Sequence, residues 1–134
     1  MIKVVLIVVI AAFAIYFFYP KSPEARHWLS TNNNKYALAG NRFASTEDAI
    51  SFVDTLYAAG AVKVSIPKDS IYDDEKRIKT EGGPYADALE ITLPKSPSEQ
   101  EELFGIINQE AIKQGMAFNP SEDVLRNRAL LWWD

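Results

Sequence analysis

The sequence predicts an N-terminal transmembrane helix that is followed by an α+β domain. Three observations support this prediction: an uninterrupted apolar segment at the start of the chain, segments in which apolar and polar residues alternate, and segments with helically spaced apolar residues. The alternating and the helical segments follow one another in the order β-α-β and again β-α-β. A chain of 134 residues has room for one such domain behind the apolar segment.

The apolar segment comprises Ile2–Tyr19 and contains a single charge, at Lys3. As an α-helix it spans about 27 Å, which is enough to cross the hydrocarbon core of a bilayer. We interpret it as an uncleaved single-pass anchor that ends before Pro20. There are two alternatives, a cleaved signal peptide and a buried core helix. The residues that follow the segment lack a small-x-small cleavage pattern. A helix that is apolar on every side has little to pack against in so small a domain.

The predicted organisation is a transmembrane anchor over residues 1–19, a linker over 20–35 and a folded domain over 36–134. The linker is rich in Pro, Ser and Asn and has no sustained apolar period, which is typical of a tether. Basic residues flank the anchor on both sides, so the positive-inside rule barely decides its orientation. Because the head that precedes the anchor is very short, we predict a signal-anchor with an extracytoplasmic domain.

Within the linker, Ser22 and Pro23 together predict a short helix over Pro23–Leu29, with Trp28 as its only large anchor. The run Asn32–Asn34 is interpreted as flexible. His27 is the only histidine of the chain. It has no neighbouring residue in the sequence that would orient it for catalysis or metal binding, so we interpret it as a surface residue.

The predicted domain begins with a strand over Tyr36–Phe43, which two capped helices and further strands follow. Ser45 supplies the N-cap of a helix that ends at Gly60, and an S-x-x-E capping box at Ser96 begins a helix that runs to about Gly115. The predicted buried stripe of this second helix is Leu103, Phe104, Ile107, Ala111 and Ile112. Alternation predicts the remaining strands, which are 62–66, 89–93 and 123–134.

This order of elements is that of the ferredoxin-like βαββαβ architecture. In it, right-handed crossovers place both helices on one face of a four-stranded antiparallel sheet, and the other face stays open. Many unrelated functions use this architecture, so the predicted fold does not by itself imply an activity.

Composition narrows the chemistry that the chain can perform. The formal net charge of −4 and the interleaving of acids with bases argue against nucleic-acid binding. The absence of cysteine excludes thiolate metal sites and cysteine nucleophiles. The acidic run over 69–75 lacks the order of a calcium loop and is followed by basic residues, so we predict neither a metal nor a cofactor. An enzyme would need a carboxylate pair such as Asp73 with Glu90 in a cleft, and we predict no catalytic residues.

Two features suggest a surface for a partner. The connection over 67–86 is far longer than an ordinary hairpin, and is either a long twisted ribbon with a recognition surface at its tip or a mobile loop. Adjacent strand residues face opposite ways, so one C-terminal tryptophan enters the core and the other lies on the open face. That exposed ring either anchors a partner or is covered by Phe118 or Trp28. The candidate partner-binding residues are Tyr72, Ile78, Tyr85, Trp132 and Trp133.

These features together predict a membrane-anchored, non-enzymatic protein-interaction module, such as an adaptor, an assembly factor or a toxin-neutralising protein. Its expected partners are the membrane and another protein, because an acidic surface attracts basic ones. The alternative is a small-ligand sensor that forms a homodimer through its sheet, with a polar pocket between the protomers.

Overall fold

The computed structural model describes residues 21–115 and 127–133 of the chain. Within these ranges, the helices are α1 (Ala25–Ser30), α2 (Thr46–Ala58), α3 (Glu75–Glu81) and α4 (Pro97–Lys113). The strands are β1 (Lys63–Ser65), β2 (Ile71–Tyr72), β3 (Tyr85–Ala86), β4 (Ala88–Thr92) and β5 (Arg128–Trp132). The predicted anchor over Ile2–Tyr19 lies outside the described residues. None of the helices in the described ranges combines the length and apolar character needed to cross a bilayer.

The prediction of an α+β fold with an antiparallel sheet is confirmed. β4 lies between β1 and β5 and pairs with both in antiparallel register, so that Val64 lies opposite Ile91 and Leu89 opposite Leu131. Alternate side chains of these strands are buried, as the period-two pattern requires. They join the buried residues of α2 and α4 in one hydrophobic core.

Both long helices begin at the predicted caps. The Ser45 hydroxyl accepts the Asp48 N–H at 3.1 Å, and the Ser96 hydroxyl accepts the Glu99 N–H at 3.2 Å. Pro97 occupies the first turn of α4. Backbone N–H groups there have no partner within the helix, so the missing N–H of proline costs no hydrogen bond. Such a cap contributes about 1 kcal/mol to helix stability. Because it involves residues only three positions apart, these two helix starts could be predicted from the sequence.

Part of the predicted stripe of α4 is wrong. Its buried members are Leu103, Ile107 and Ala111, and Phe104 is half-buried. Ile112 is 62% exposed. The core takes Glu110 in its place, the only charged residue that is buried in the described ranges.

Glu110 forms a buried ion pair with Arg42. The guanidinium contacts both carboxylate oxygens, with Nε at 2.5 Å from Oε1 and Nη2 at 3.1 Å from Oε2. The Trp133 indole N–H donates to the same carboxylate at 3.1 Å. Arg42 also lies 4.6 Å from the centroid of the Phe43 ring, which is itself 5.4 Å from the Trp133 ring. The Arg42–Glu110 ion pair, the Trp133 hydrogen bond and the aromatic packing are therefore found in the same part of the core.

Burial by itself raises the pKa of the Glu110 carboxyl, because it penalises the charged form. The hydrogen bonds from Arg42 and Trp133 outweigh that effect, and the pKa lies below its ordinary value. Glu110 is therefore a charged carboxylate at neutral pH, and its partners stabilise that charge.

The predicted first strand over Tyr36–Phe43 is wrong. Ala39 adopts a left-handed φ of 41°, and the Arg42 N–H turns back to the Ala39 carbonyl at 2.8 Å. A strand cannot continue through such a turn. The segment pairs with β3 only through an isolated parallel bridge between Leu38 and Ala86, in the described part of the chain.

Loss of that strand changes the sheet. In the ferredoxin-like order, the first strand would pair with the third, but here β5 pairs directly with β4. The main sheet therefore has three strands in the described ranges instead of the predicted four. The hydrogen bonds of the local turn satisfy backbone groups that strand pairing would otherwise have satisfied. The pattern of apolar residues does not reveal such a turn, so it predicted a strand.

The part of the predicted linker that the structure describes packs against the domain. The N-cap of α1 is Glu24, not the predicted Ser22, and the Glu24 carboxylate accepts the N–H groups of Arg26 and His27 at 2.8 and 2.7 Å. The Tyr57 hydroxyl of α2 donates to Glu24 at 2.8 Å. The buried residues of α1 are Ala25 and Leu29.

The connection over 67–86 contains a short two-stranded ribbon, but its strands form a sheet of their own and do not continue β1 and β4 as the predicted long ribbon would. A 3-10 turn over Lys68–Ser70 follows β1, and β2 then pairs with β3 in antiparallel register. The tip of the ribbon is α3, a helix that the sequence analysis did not predict. Asp74 caps its first turn at 2.9 Å, and Gly82 ends it with a φ of 91°.

Candidate functional site

The face of the sheet that is turned away from the core carries a groove of about 370 Å³. We call it the open-face groove. It lies where β4 and β5 meet the segment that joins β1 to β2. Its lining residues are Pro67, Asp69, Ser70, Tyr72, Asp87, Ala88, Glu90, Leu130 and Trp132.

Strand alternation places two large apolar side chains in this groove. Leu130 and Trp132 are 58% and 46% exposed, whereas Leu131 and Trp133 between and beyond them are buried. The prediction that the two tryptophans face opposite ways is therefore confirmed, and Trp132 is the exposed one. Trp133 is 2% exposed and belongs to the core, so its place among the candidate partner contacts is corrected.

Tyr72 enters the groove from the ribbon. Its hydroxyl donates to the Asp87 carboxylate at 3.1 Å, and this hydrogen bond raises the pKa of the Tyr72 phenol. On the ribbon, Tyr72 lies opposite Tyr85, with 6.1 Å between the ring centroids. The Arg77 guanidinium lies over both rings, at 5.7 and 5.1 Å from their centroids. These contacts hold the Tyr72 ring in one orientation.

The groove is acidic. Asp69, Asp87 and Glu90 line it, and Glu90 makes an ion pair with Arg128 at 3.4 Å. Asp69 has no ion-pair partner within the described ranges. Since the side chains of Tyr72 and Trp132 are neutral, the field in the groove attracts cations.

A second cleft, of about 600 Å³, adjoins the open-face groove and shares three of its residues. It contains both Asp73 and Glu90, the carboxylates that the enzyme alternative requires in one place. Its lining residues are Ser22, Pro67, Lys68, Asp69, Ile71, Asp73 and Glu90. Over the described residues, no group of three or more histidine or acidic side chains is placed to hold a metal ion.

Of the five candidate residues, the structure brings Tyr72 and Trp132 together in the groove. Tyr85 belongs to a different cavity, on the side of the ribbon that faces residues 33–36. Ile78 is exposed on α3 and is not a groove residue.

The asparagine run contacts the turn after α3, and this contact was not predicted from the sequence. We call it the Asn-Gly clasp. The Asn32 side-chain amide donates to the Pro84 carbonyl at 2.9 Å, and that of Asn34 donates to the Gly83 carbonyl at 3.2 Å. A Cβ on Gly82 would lie 2.9 Å from the Asn33 carbonyl oxygen. The clasp therefore needs glycine in the turn after α3 and amide side chains in the asparagine run. Asn34 is buried.

Replacing Gly83 by alanine should open the clasp. The new Cβ would overlap the Asn32 side-chain oxygen and lie 3.1 Å from the Asn34 backbone nitrogen. We expect the free energy of unfolding to fall by about 1–3 kcal/mol, because the overlap displaces a hydrogen-bonded side chain. Urea unfolding of the full chain in detergent, followed by far-UV circular dichroism, measures the change.

Gly105 provides the matched control, because it lies on the exposed side of α4 and a Cβ there meets no atom within 4 Å. Gly105→Ala should raise stability by up to about 1 kcal/mol through helix propensity. Equal effects of the two substitutions would contradict the clasp.

Comparison with known proteins found no matching family model, no matching curated protein and no matching solved structure. The chemistry of the described cavities and surfaces is therefore the basis for a functional proposal.

Proposed function

We propose that this protein is a membrane-anchored, non-enzymatic interaction module whose open-face groove binds a basic, extended segment of another protein. The single observation that carries the proposal is the meeting of Tyr72, Leu130 and Trp132, all exposed, with several carboxylates in one groove.

The apolar part of the groove has the character of a binding hot spot. Tyrosine and tryptophan dominate the energetics of protein interfaces because they bury a large area at a small cost in side-chain entropy. Tyr72 is already held by Asp87 and Arg77, so little of its freedom remains to be lost on binding.

The charges favour a basic partner. A lysine or arginine of the partner could reach Asp69 or Asp87 while its neighbouring residue packs on Trp132. Such charges contribute to the rate and specificity of association more than to affinity, and their effect falls with ionic strength.

The backbone of β5 favours an extended partner. The Leu93 N–H donates to Asn127 and the Trp133 N–H to Asp87, each at 2.9 Å, so the odd-numbered residues of this strand bond to β4. The backbone groups of Arg128, Leu130 and Trp132 therefore point to the opposite edge. Over the described residues no strand pairs with that edge. A partner strand added there would run beside the groove, as in other cases of β-augmentation.

The anchor over residues 2–19 belongs to the proposal as well, and places the domain beside a bilayer on the extracytoplasmic side. Its apolar length supports this placement. Carbonate extraction of membranes at high pH is the test: the untagged full chain should remain in the pellet, and its release with the Met1 end intact would refute the anchor.

The groove is tested with a labelled peptide of about ten residues in which lysine alternates with valine, a length that suits one added strand. Fluorescence anisotropy with the full chain in detergent measures binding. Trp132→Ala should weaken binding about tenfold or more, since it removes a central aromatic anchor. Ile112→Ala, at a more exposed apolar site on α4, is the control and should have no effect.

Charge reversal tests the electrostatic part with a second matched pair. Asp69→Lys should weaken peptide binding and reduce its dependence on salt, whereas Glu101→Lys on exposed α4 should do neither. Equal binding by all four variants and the unchanged chain would refute the groove as the binding site.

The β5 edge, with which no strand of the described ranges pairs, also favours one alternative, the ligand-sensing homodimer that pairs two sheets edge to edge. Sedimentation of the full chain over a range of concentrations distinguishes the two. A dimer that dissociates in Leu130→Pro, where proline removes an outward N–H, would favour a second copy as the occupant.

A further inference from the structure

A third cavity, of about 610 Å³, lies between α3 and the segment that follows α1. It shares no residue with the open-face groove. Its lining residues are Asn33, Asn34, Lys35, Tyr36, Arg77, Thr80, Glu81 and Tyr85. The volume lies within the range that suits a small organic molecule, about 300–1,000 Å³.

Two tyrosine rings form the apolar walls of the cavity. The Tyr85 hydroxyl accepts the Gly40 N–H at 3.2 Å, and Arg77 stacks on the same ring. A Cβ built on Gly40 would lie 3.6 Å from the Tyr36 Cβ and 3.9 Å from the Tyr85 ring, so the two tyrosines flank this glycine. Tyr36 is 54% exposed. The cavity therefore offers one fixed ring and one accessible ring.

The Asn-Gly clasp supports the floor of the cavity. The buried Asn34 amide donates to the Glu81 carboxylate and to the Gly83 carbonyl, each at 3.2 Å, and its side-chain oxygen accepts the Tyr36 N–H at 2.9 Å. Asn34 thus fixes the backbone that carries Lys35 and Tyr36. The cavity is therefore formed before any ligand enters.

Among the described residues, the charges that line the cavity leave one cation without a counter-ion. Arg77 donates from Nη1 to both oxygens of Glu81, at 3.0 and 2.8 Å, so these two charges compensate each other. The Lys35 ammonium forms no ion pair or side-chain hydrogen bond within residues 21–115 and 127–133. In a chain of net charge −4, this cavity is locally positive by one charge.

We propose that this cavity binds a small aromatic carboxylate. The planar ring packs against Tyr36 and Tyr85, and the carboxylate pairs with Lys35. The Asn33 amide and the Thr80 hydroxyl lie at the same cavity and can donate hydrogen bonds to the ligand. Stacking on the aromatic walls and a charge-assisted hydrogen bond together select an anionic planar molecule over a neutral or cationic one. This site does not depend on the partner proposed for the open-face groove.

The test uses benzoate and its neutral isostere benzamide with the full chain in detergent at neutral pH. Each probe is titrated to about 20 mM, because a molecule of about nine heavy atoms binds only weakly. Benzoate should give saturable shifts of the backbone amide resonances of Asn33, Lys35, Tyr36 and Thr80. Benzamide should bind about tenfold more weakly, since it lacks the charge.

Variants locate the site. Lys35→Gln should weaken benzoate binding about tenfold and leave benzamide unchanged, and Lys63→Gln, at an exposed lysine of β1, should change neither. Tyr36→Ala should weaken both probes by about fivefold, whereas Tyr36→Phe, which keeps the ring, should retain them. The dispersed amide spectrum of each variant shows that it is folded.

Three results would overturn the proposal. The first is the absence of saturable shifts with benzoate. The second is equal affinity for the two probes, which would remove the role of the carboxylate. The third is unchanged benzoate binding in folded Lys35→Gln and Tyr36→Ala, which would place the binding elsewhere.

Discussion

Replacing Trp133 by alanine should lower the free energy of unfolding by about 3–5 kcal/mol, the largest effect that we expect of any single substitution. The indole is 2% exposed and packs against the rings of Phe43 and Phe52, with centroids 5.4 and 6.2 Å away. Its removal leaves a large cavity and takes one hydrogen bond from the buried Glu110 carboxylate. Urea unfolding of the full chain in detergent, followed by far-UV circular dichroism, measures the loss.

The neighbouring tryptophan is the matched control. Trp132 is exposed on the other face of the same strand, so Trp132→Ala should change stability by less than about 1 kcal/mol. Trp133→Phe keeps most of the ring but removes the indole N–H, and we expect an intermediate loss of about 1–3 kcal/mol. Similar losses for Trp132→Ala and Trp133→Ala would contradict the assignment of Trp133 to the core.

Replacing Arg42 by alanine should cost about 3 kcal/mol at neutral pH, because it leaves the Glu110 carboxylate buried without its main partner. The Glu110 side chain is 3% exposed in the unchanged protein, so its carboxylate depends on the guanidinium for the stabilisation that water gives an exposed charge. The double variant Arg42→Ala, Glu110→Met should recover part of this loss, since it also removes the buried charge. The same unfolding measurement applies. No recovery in the double variant would show that the loss came from the aliphatic part of Arg42.

The contribution of Glu110 to the pH dependence of stability should reverse sign in the Arg42→Ala variant. In the unchanged protein, the pKa of Glu110 is lower in the folded state than in the unfolded state. Its contribution is therefore present above the unfolded pKa and is lost as the pH falls through the folded one. Without Arg42, burial dominates and raises the pKa, so acidification toward the unfolded pKa should stabilise the variant. Parallel slopes for the two proteins over weakly acidic pH would contradict this.

The candidate site was predictable only in part. Residue spacing identified Trp132 and Tyr72 as candidates, because a strand must expose every second side chain and the long connection carried apolar residues. Nothing in the spacing showed that these two would share a groove with Asp87 and Glu90. That depends on the register of β5 on β4 and on the path of the ribbon, which together bring Tyr72 near Trp132, about sixty positions further along the chain.

Local sequence determined the elements whose stabilising contacts are themselves local. The caps at Ser45 and Ser96, the alternation in β1, β4 and β5, and the opposite faces of Trp132 and Trp133 all depend on residues within a few positions of one another. For that reason they could be predicted without knowledge of the neighbouring elements.

The tertiary structure alone decided the rest. The segment over 36–43 had strand-like composition but became a turn, because local hydrogen bonds and burial beside β3 satisfied it better than a place in the sheet. Asn34 was predicted to belong to a flexible run and Glu110 was not part of the predicted buried stripe, yet both are buried, since Gly83 and Arg42 supply their partners from distant positions. A polar side chain is stable in the core only where it has a hydrogen-bond or ion-pair partner. A partner that is distant in the sequence is brought near only by the completed fold.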